Sequence, residues 1–214
     1  MPTDIPMSSM GVDASGGGKD PMMIAPRYDT WFAPLIEVPG RDLPLDKMGK
    51  FATAMIVANR RDGALVVLDM GGGYGGAAYE HLRDNKIEVM TFKGVDASVR
   101  RTKDRQLGFY NKRSEAIWKF REALDPDQDG GSPIALPTDR VLLADLTAPT
   151  FEVPARGIKV ENKEDLVKRL GRSTDRGDAV VMAWYGGSTQ MWGGQVFKRH
   201  EKPVYVTKRM QRSR

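Results

Sequence analysis

The chain has 214 residues, 40% hydrophobic and 29% charged, with 33 Lys and Arg against 28 Asp and Glu for a net charge of +5. That is enough chain for one sizeable core, and no apolar run is long enough to span a bilayer. Zero cysteines exclude disulfides, thiolate metal sites and a cysteine nucleophile, and with only His81 and His200 present, carboxylates become the better donors for any metal.

In chain order, residues 10–13 predict a short strand ending at a turn, and Gly16-Gly17-Gly18 breaks the backbone. Residues 22–25 and 31–38 are apolar enough for two more strands, so the chain opens as an antiparallel meander closed by Pro39-Gly40. From 44 to 60, Leu45, Met48, Phe51, Ala52, Met55 and Ile56 recur at spacings of three and four, an amphipathic helix. Residues 65–68 form a continuous apolar run, typical of a buried central strand. Residues 71–76 read as a loop, 77–83 as the start of a helix, 87–92 as a strand and 111–124 as a helix. The stretch 125–137, rich in Asp, Gly and Pro, reads as an exposed loop. Residues 151–160 read as a hairpin, and Asn162 begins a short helix through Leu170. Ser173 or Thr174 then caps a last helix to about residue 184. Three strands, helix, strand, helix, strand, then helices with an inserted hairpin make a mixed α/β sheet in one domain, 1–186, followed by a basic, Gly-containing tail, 187–214.

Three acidic segments carry the chemistry: Gly11-Val12-Asp13-Ala14-Ser15-Gly16-Gly17-Gly18-Lys19-Asp20, Ala64-Leu65-Val66-Val67-Leu68-Asp69 and Ser173-Thr174-Asp175-Arg176-Gly177-Asp178-Ala179. Each sets an Asp at a strand end or a helix start. Carboxylates gathered from separate elements suit Mg²⁺ or Mn²⁺, hard cations that take oxygen ligands, and the chemistry that follows is metal-assisted phosphodiester hydrolysis. Two basic clusters, one of Arg100, Arg101, Lys103 and Arg105 before Lys112 and Arg113, the other from Lys198 to Arg214, suit a polyanion held over such a site.

Two glycine runs point elsewhere. Gly16-Gly17-Gly18-Lys19 fails as a phosphate loop because Asp13 stands where the first Gly belongs and Asp20 follows the Lys. Gly71, Gly73 and Gly76 satisfy G-x-G-x-x-G after a strand, and the segment is similar to the first motif of S-adenosylmethionine-dependent methyltransferases. Against that alternative, three strands and a helix precede Asp69, and it gives no role to Asp13 or Asp178. A nuclease-fold protein that only binds DNA is a further alternative.

Read together, the acidic segments, Val66-Val67-Leu68-Asp69 with the glycines behind it, Phe109-Tyr110-Asn111-Lys112-Arg113, and Lys159-Val160-Glu161-Asn162-Lys163-Glu164 leading through Arg172-Ser173 to Asp178-Ala179 resemble the nuclease domain of the large terminase subunit of tailed bacteriophages. The co-linear set covers roughly residues 11–184, with Thr174 where that family commonly carries Pro, a change that a helix N-terminus tolerates. The resemblance implies an RNase H-like fold, three antiparallel strands followed by parallel strands with flanking helices. It implies a DNA endonuclease using two divalent ions, Mg²⁺ or Mn²⁺, with Asp13, Asp69 and Asp178 as catalytic metal ligands. Asp20 and Asp175 are then auxiliary candidates, although Asp175 also fits a plain helix-start carboxylate. Lys112, Arg113, Lys163, Arg169 and Arg172 become candidates for contacting DNA. Trp118 and Trp184 are expected in the core, His81 and His200 at the surface. A complete large terminase also carries an ATPase, and no ATPase motif stands in these residues, so the resemblance implies the nuclease part alone. Its implied partners are double-stranded DNA, the ATPase domain, the portal and the small terminase subunit, with no membrane. Its implied setting is the host cytoplasm, transiently at the procapsid portal.

Overall fold

A computed structural model describes residues 5–17, 19–187, 190–192 and 195–197. Its elements run β1 (Ser9–Asp13), β2 (Met22–Tyr28), β3 (Trp31–Phe32), β4 (Ile36–Val38), α1 (Met48–Asn59), β5 (Leu65–Asp69), α2 (Gly75–Asp84), β6 (Val89–Phe92), α3 (Lys112–Leu124), α4 (Arg140–Thr147), β7 (Phe151–Glu152), β8 (Lys159–Val160), α5 (Lys163–Leu170), α6 (Asp175–Tyr185), β9 (Gln190–Trp192) and β10 (Gln195–Phe197). The main sheet has the order β3-β2-β1-β5-β6, with β4 also on β2. β1 and β2 are antiparallel, while β1, β5 and β6 are mutually parallel, so the predicted change from antiparallel to parallel pairing falls at β1.

Alternation along the strands divides the core into two layers. Met10, Val12, Met22, Ile24, Val66 and Leu68 point to the face covered by α1 and α2, where Ala52, Ile56, Ala78 and Leu82 meet them. Met23, Ala25 and Val67 point to the other face, against Ala116, Phe120 and Leu142 and the Ala179–Ala183 stretch of α6. Strand β1 is buried along its whole length, and the apolar run 65–68 expected as a central strand lies in β5, buried from Val66 to Leu68.

Four details depart from the sequence-based expectation. Residues 31–38 make two strands, β3 and β4, interrupted at Ala33-Pro34-Leu35, where Pro34 has no N–H to give a ladder. The amphipathic helix opens as a 3₁₀ turn, Leu45–Lys47, before α1. Gly71–Gly73 forms a 3₁₀ turn, and α2 starts at Gly75. Helix α4 was not expected at all. It is short and buries little beyond Leu142 and Asp145, but Asp139 caps it, accepting from the amides of Val141 and Leu142 at 2.8 and 3.0 Å.

Candidate metal centre

Strands β1 and β5 are parallel neighbours, with Val12 opposite Leu68, so Asp13 and Asp69 close adjacent strand ends on one edge of the sheet. Helix α6 reaches the same edge because β1 presents small residues to it. On that face of β1, Ser9 donates to the Ala183 carbonyl at 2.7 Å. Two residues on, a Cβ on Gly11 would lie 2.0 Å from the Ala179 carbonyl oxygen. Two strand residues advance about 6.6 Å and four helix residues about 6 Å, so strand and helix keep step. The next match along is Asp13 with the first turn of α6, which carries Asp175 and Asp178. At the far end of α6, buried Arg27 donates to the carbonyls of Ala183 and Gly187 at 3.1 and 2.9 Å, and its guanidinium stacks 4.2 Å from the Trp184 ring centre.

Asp13, Asp175 and Asp178 each offer an oxygen within 4.8 Å of the other two. A hard cation at about 2.0–2.6 Å from its ligands fits that span. Asp69 stands beside them, its Oδ1 accepting from the Gly71 amide at 2.8 Å. The first amide of the glycine loop thus turns back onto Asp69. Thr174 at the N-cap of α6 donates its hydroxyl to Asp178 at 3.3 Å, and the Ser173 hydroxyl donates to Asp175.

Lys163, the first residue of α5, enters this cluster from the side. Asn162 caps that helix by accepting from the Asp165 amide at 2.8 Å. The Lys163 Nζ lies 3.0 Å from Asp178 and 3.5 Å from both Asp13 and Asp175. Burial opposes its charge, but the three carboxylates outweigh burial and raise its pKa. Burial pushes the Asp13 carboxyl well above the usual carboxylate range; Lys163 pulls it back down while Asp178, Asp69 and Asp175 add to the rise. Burial likewise raises Asp69, against the Gly71 amide, and Asp175, against the Ser173 hydroxyl. Four carboxylates and one ammonium leave an excess of negative charge that favours further cations.

A fifth carboxylate, Asp145 of α4, braces the first turn of α6. It is fully buried, pairs with Arg172 at 2.5 Å and accepts from the Gly177 amide at 3.1 Å. A Cβ on Gly177 would come within 2.8 Å of the Asp145 Cβ, so glycine is needed for this approach. Sequence reasoning missed Asp145; its one signal is a lone acid on the inner face of a short helix.

The remaining predicted residues take varied positions. Asp20 is exposed in the turn after β1, and its charge acts on Asp175. Lys112 pairs with Asp96 at 2.9 Å, Arg113 donates to the Glu161 carbonyl, and Arg169 pairs with Glu161 at 2.6 Å. With Arg172 on Asp145 and Lys163 in the carboxylate cluster, all five cations named for DNA have intramolecular partners. Trp184 packs on Phe120, and Trp118 stacks edge-on to Phe151. His81 is half-buried on α2. His200 and the basic cluster from Lys198 to Arg214 lie outside the described residues.

No protein-family model matches the chain, and no curated protein matches it by sequence. Solved structures do match. The nuclease domain of the large terminase subunit gp2 of bacterial virus Sf6 aligns over 83% of this chain and 87% of its own, with a TM-score of 0.66 and 20% identity. A lysine-to-alanine variant of that domain, solved with manganese and beta-thujaplicinol, aligns over the same shares with a TM-score of 0.63 and 19% identity. The large terminase nuclease of thermophilic phage G20c with bound cobalt aligns over 84% of this chain and 81% of its own, with a TM-score of 0.51 and 16% identity. The mixed sheet, the antiparallel-to-parallel change at β1 and these alignments give the chain the RNase H-like fold of large-terminase nuclease domains.

Proposed function

We propose that this chain is a metal-dependent DNA endonuclease of a viral genome-packaging motor, hydrolysing phosphodiester bonds of concatemeric DNA by a two-metal mechanism. The observation that carries the reading is the convergence of Asp13, Asp69, Asp175 and Asp178 at one edge of a sheet of this type. An all-carboxylate donor set suits Mg²⁺ or Mn²⁺, and the manganese and cobalt held by the Sf6 and G20c domains support a divalent ion here. Bound in pairs, such ions supply an activated water and offset the charge of the pentacoordinate phosphate. Asp13, Asp69 and Asp178 are the ligands in this reading, with Asp175 completing the set. Lys163 offsets part of the negative charge of the cluster. No histidine or lysine base is needed.

The substrate is double-stranded DNA. The working partners are the terminase ATPase domain, the portal and the small subunit, met in the host cytoplasm at the procapsid.

The test is incubation of the purified protein with supercoiled plasmid in Mn²⁺, Mg²⁺ or EDTA, beside Asp69→Ala and Asp13→Asn. Nicking and linearisation should require the metal. Each substitution removes several kcal/mol of transition-state stabilisation, on the order of 10³-fold in rate. An Asp69→Ala protein that cuts as well as the parent would refute the assignment.

A further inference from the structure

Between β6 and α3 the chain makes a loop, residues 93–107, that carries Lys93, Arg100, Arg101, Lys103 and Arg105 against only Asp96 and Asp104. All five cations are exposed. Both acids are already engaged, Asp96 by the first residue of α3 and Asp104 within the loop. Asp96 pairs with Lys112 at 2.9 Å, and Asp104 accepts from the Thr102 hydroxyl at 2.5 Å and the Gln106 amide at 3.0 Å. Arg100 pairs with Glu115 at 3.4 Å. Lys93, Arg101, Lys103 and Arg105 have no carboxylate partner among the described residues; Arg101 donates to the carbonyls of Arg105 and Gln106, and Lys103 to the Gln128 side chain, all at 3.4 Å.

The loop is built as a rigid rack. Thr102 is buried and exchanges backbone bonds with Leu107 and Arg105, the Lys103 amide donates to Glu122 at 2.8 Å, and Ser98 donates to Glu115 at 2.7 Å. The same loop holds Val95 and Val99 at 87% and 96% exposure, the two most exposed large hydrophobic side chains among the described residues. A single exposed valine needs no explanation; a pair amid exposed cations, four of them with no carboxylate partner among the described residues, on a braced loop is an amphipathic surface.

Its roots adjoin the carboxylates. Lys93 follows Phe92, which is paired in register with Asp69. At the other end, Gly108 accepts from the Ile158 amide beside β8, four residues before Asn162 caps α5.

We propose that the loop 93–107 is a docking surface for the backbone of duplex DNA, with Lys93, Arg101, Lys103 and Arg105 on phosphates and Val95 and Val99 on the apolar sugar edge. This rests on the nuclease reading, and it places the DNA contact on the loop 93–107 in addition to the five cations named from the sequence.

The experiment is fluorescence anisotropy of a labelled duplex with the 214-residue protein in EDTA across a salt series, so that cleavage plays no part. Arg101→Gln/Lys103→Gln/Arg105→Gln should lower the log–log salt slope by about 3 and weaken binding on the order of 10²-fold at low salt. Lys50→Gln/Lys86→Gln/Arg140→Gln removes the same charge from exposed sites elsewhere and should bind nearly as the parent does. Val95→Ser/Val99→Ser should weaken binding and leave the salt slope unchanged. Circular dichroism checks that each variant is folded. Equal losses in the two charge triples, an unchanged loop triple, or a parent that does not bind duplex DNA would overturn the proposal. The nuclease reading fails separately, through absent metal-dependent plasmid cleavage.

Discussion

Lys163 is the residue that ties the carboxylate cluster together. Its ammonium satisfies three carboxylates from two other elements, and a buried acid left without a partner is costly. Lys163→Met should therefore lower the melting temperature in EDTA by several degrees. The same change removes a competitor for the carboxylate oxygens, so Mn²⁺ binding measured by calorimetry should tighten, and saturating Mn²⁺ should restore most of the lost stability. A variant with the parent's melting temperature and Mn²⁺ affinity would show that the ammonium and the metal do not compete. Asp175 matters for the same reason. Its burial and its place three residues before Asp178 set it among the ligand candidates, although a helix-start carboxylate alone would also satisfy the sequence.

Among the elements, the pairing of β1 with α6 governs the site. Gly11→Ala would drive a methyl into the Ala179 carbonyl, which is backbone and has no way to turn aside. The expected cost is about 3 kcal/mol, read by chemical denaturation. Because the same shift parts Asp13 from Asp178, Mn²⁺ affinity should fall more than in Ile56→Val, a change on the opposite face of the sheet that leaves this pairing alone. The β7–β8 hairpin makes a different prediction. Glu161, just past β8, is held by Arg169 of α5 and by Thr150, which lowers its pKa from 4.5 to about 2. A depressed carboxylate stabilises the fold above its ordinary pKa, and that contribution is lost as the pH falls through the folded value. Hairpin amides should thus lose exchange protection between pH 4.5 and about 2, ahead of the sheet. Glu161→Gln should remove this pH dependence, and hairpin and sheet losing protection together in the parent would contradict the idea.

For the molecule as a whole, the sheet and most helices were legible because their signals are local. The 65–68 run, the helix starts at Asn111 and Asn162 and the spacing along α1 each act within a few residues. Asp13, Asp69 and Asp178 were legible as acids at element ends. What stayed hidden depends on distant chain. The place of Lys163 is set by a partner 150 residues away, that of Asp145 by an amide 32 residues away, and that of Arg27 by carbonyls at the end of α6. The same long separations bear on synthesis. A nascent chain that has emerged through β6 already displays Asp13 and Asp69, yet lacks every residue of α6. Folding must wait for that helix to return across β1, a contact of high sequence separation and slow closure. On the nuclease reading, a fragment ending before α6 carries half of the carboxylates and lacks the rest of its metal site.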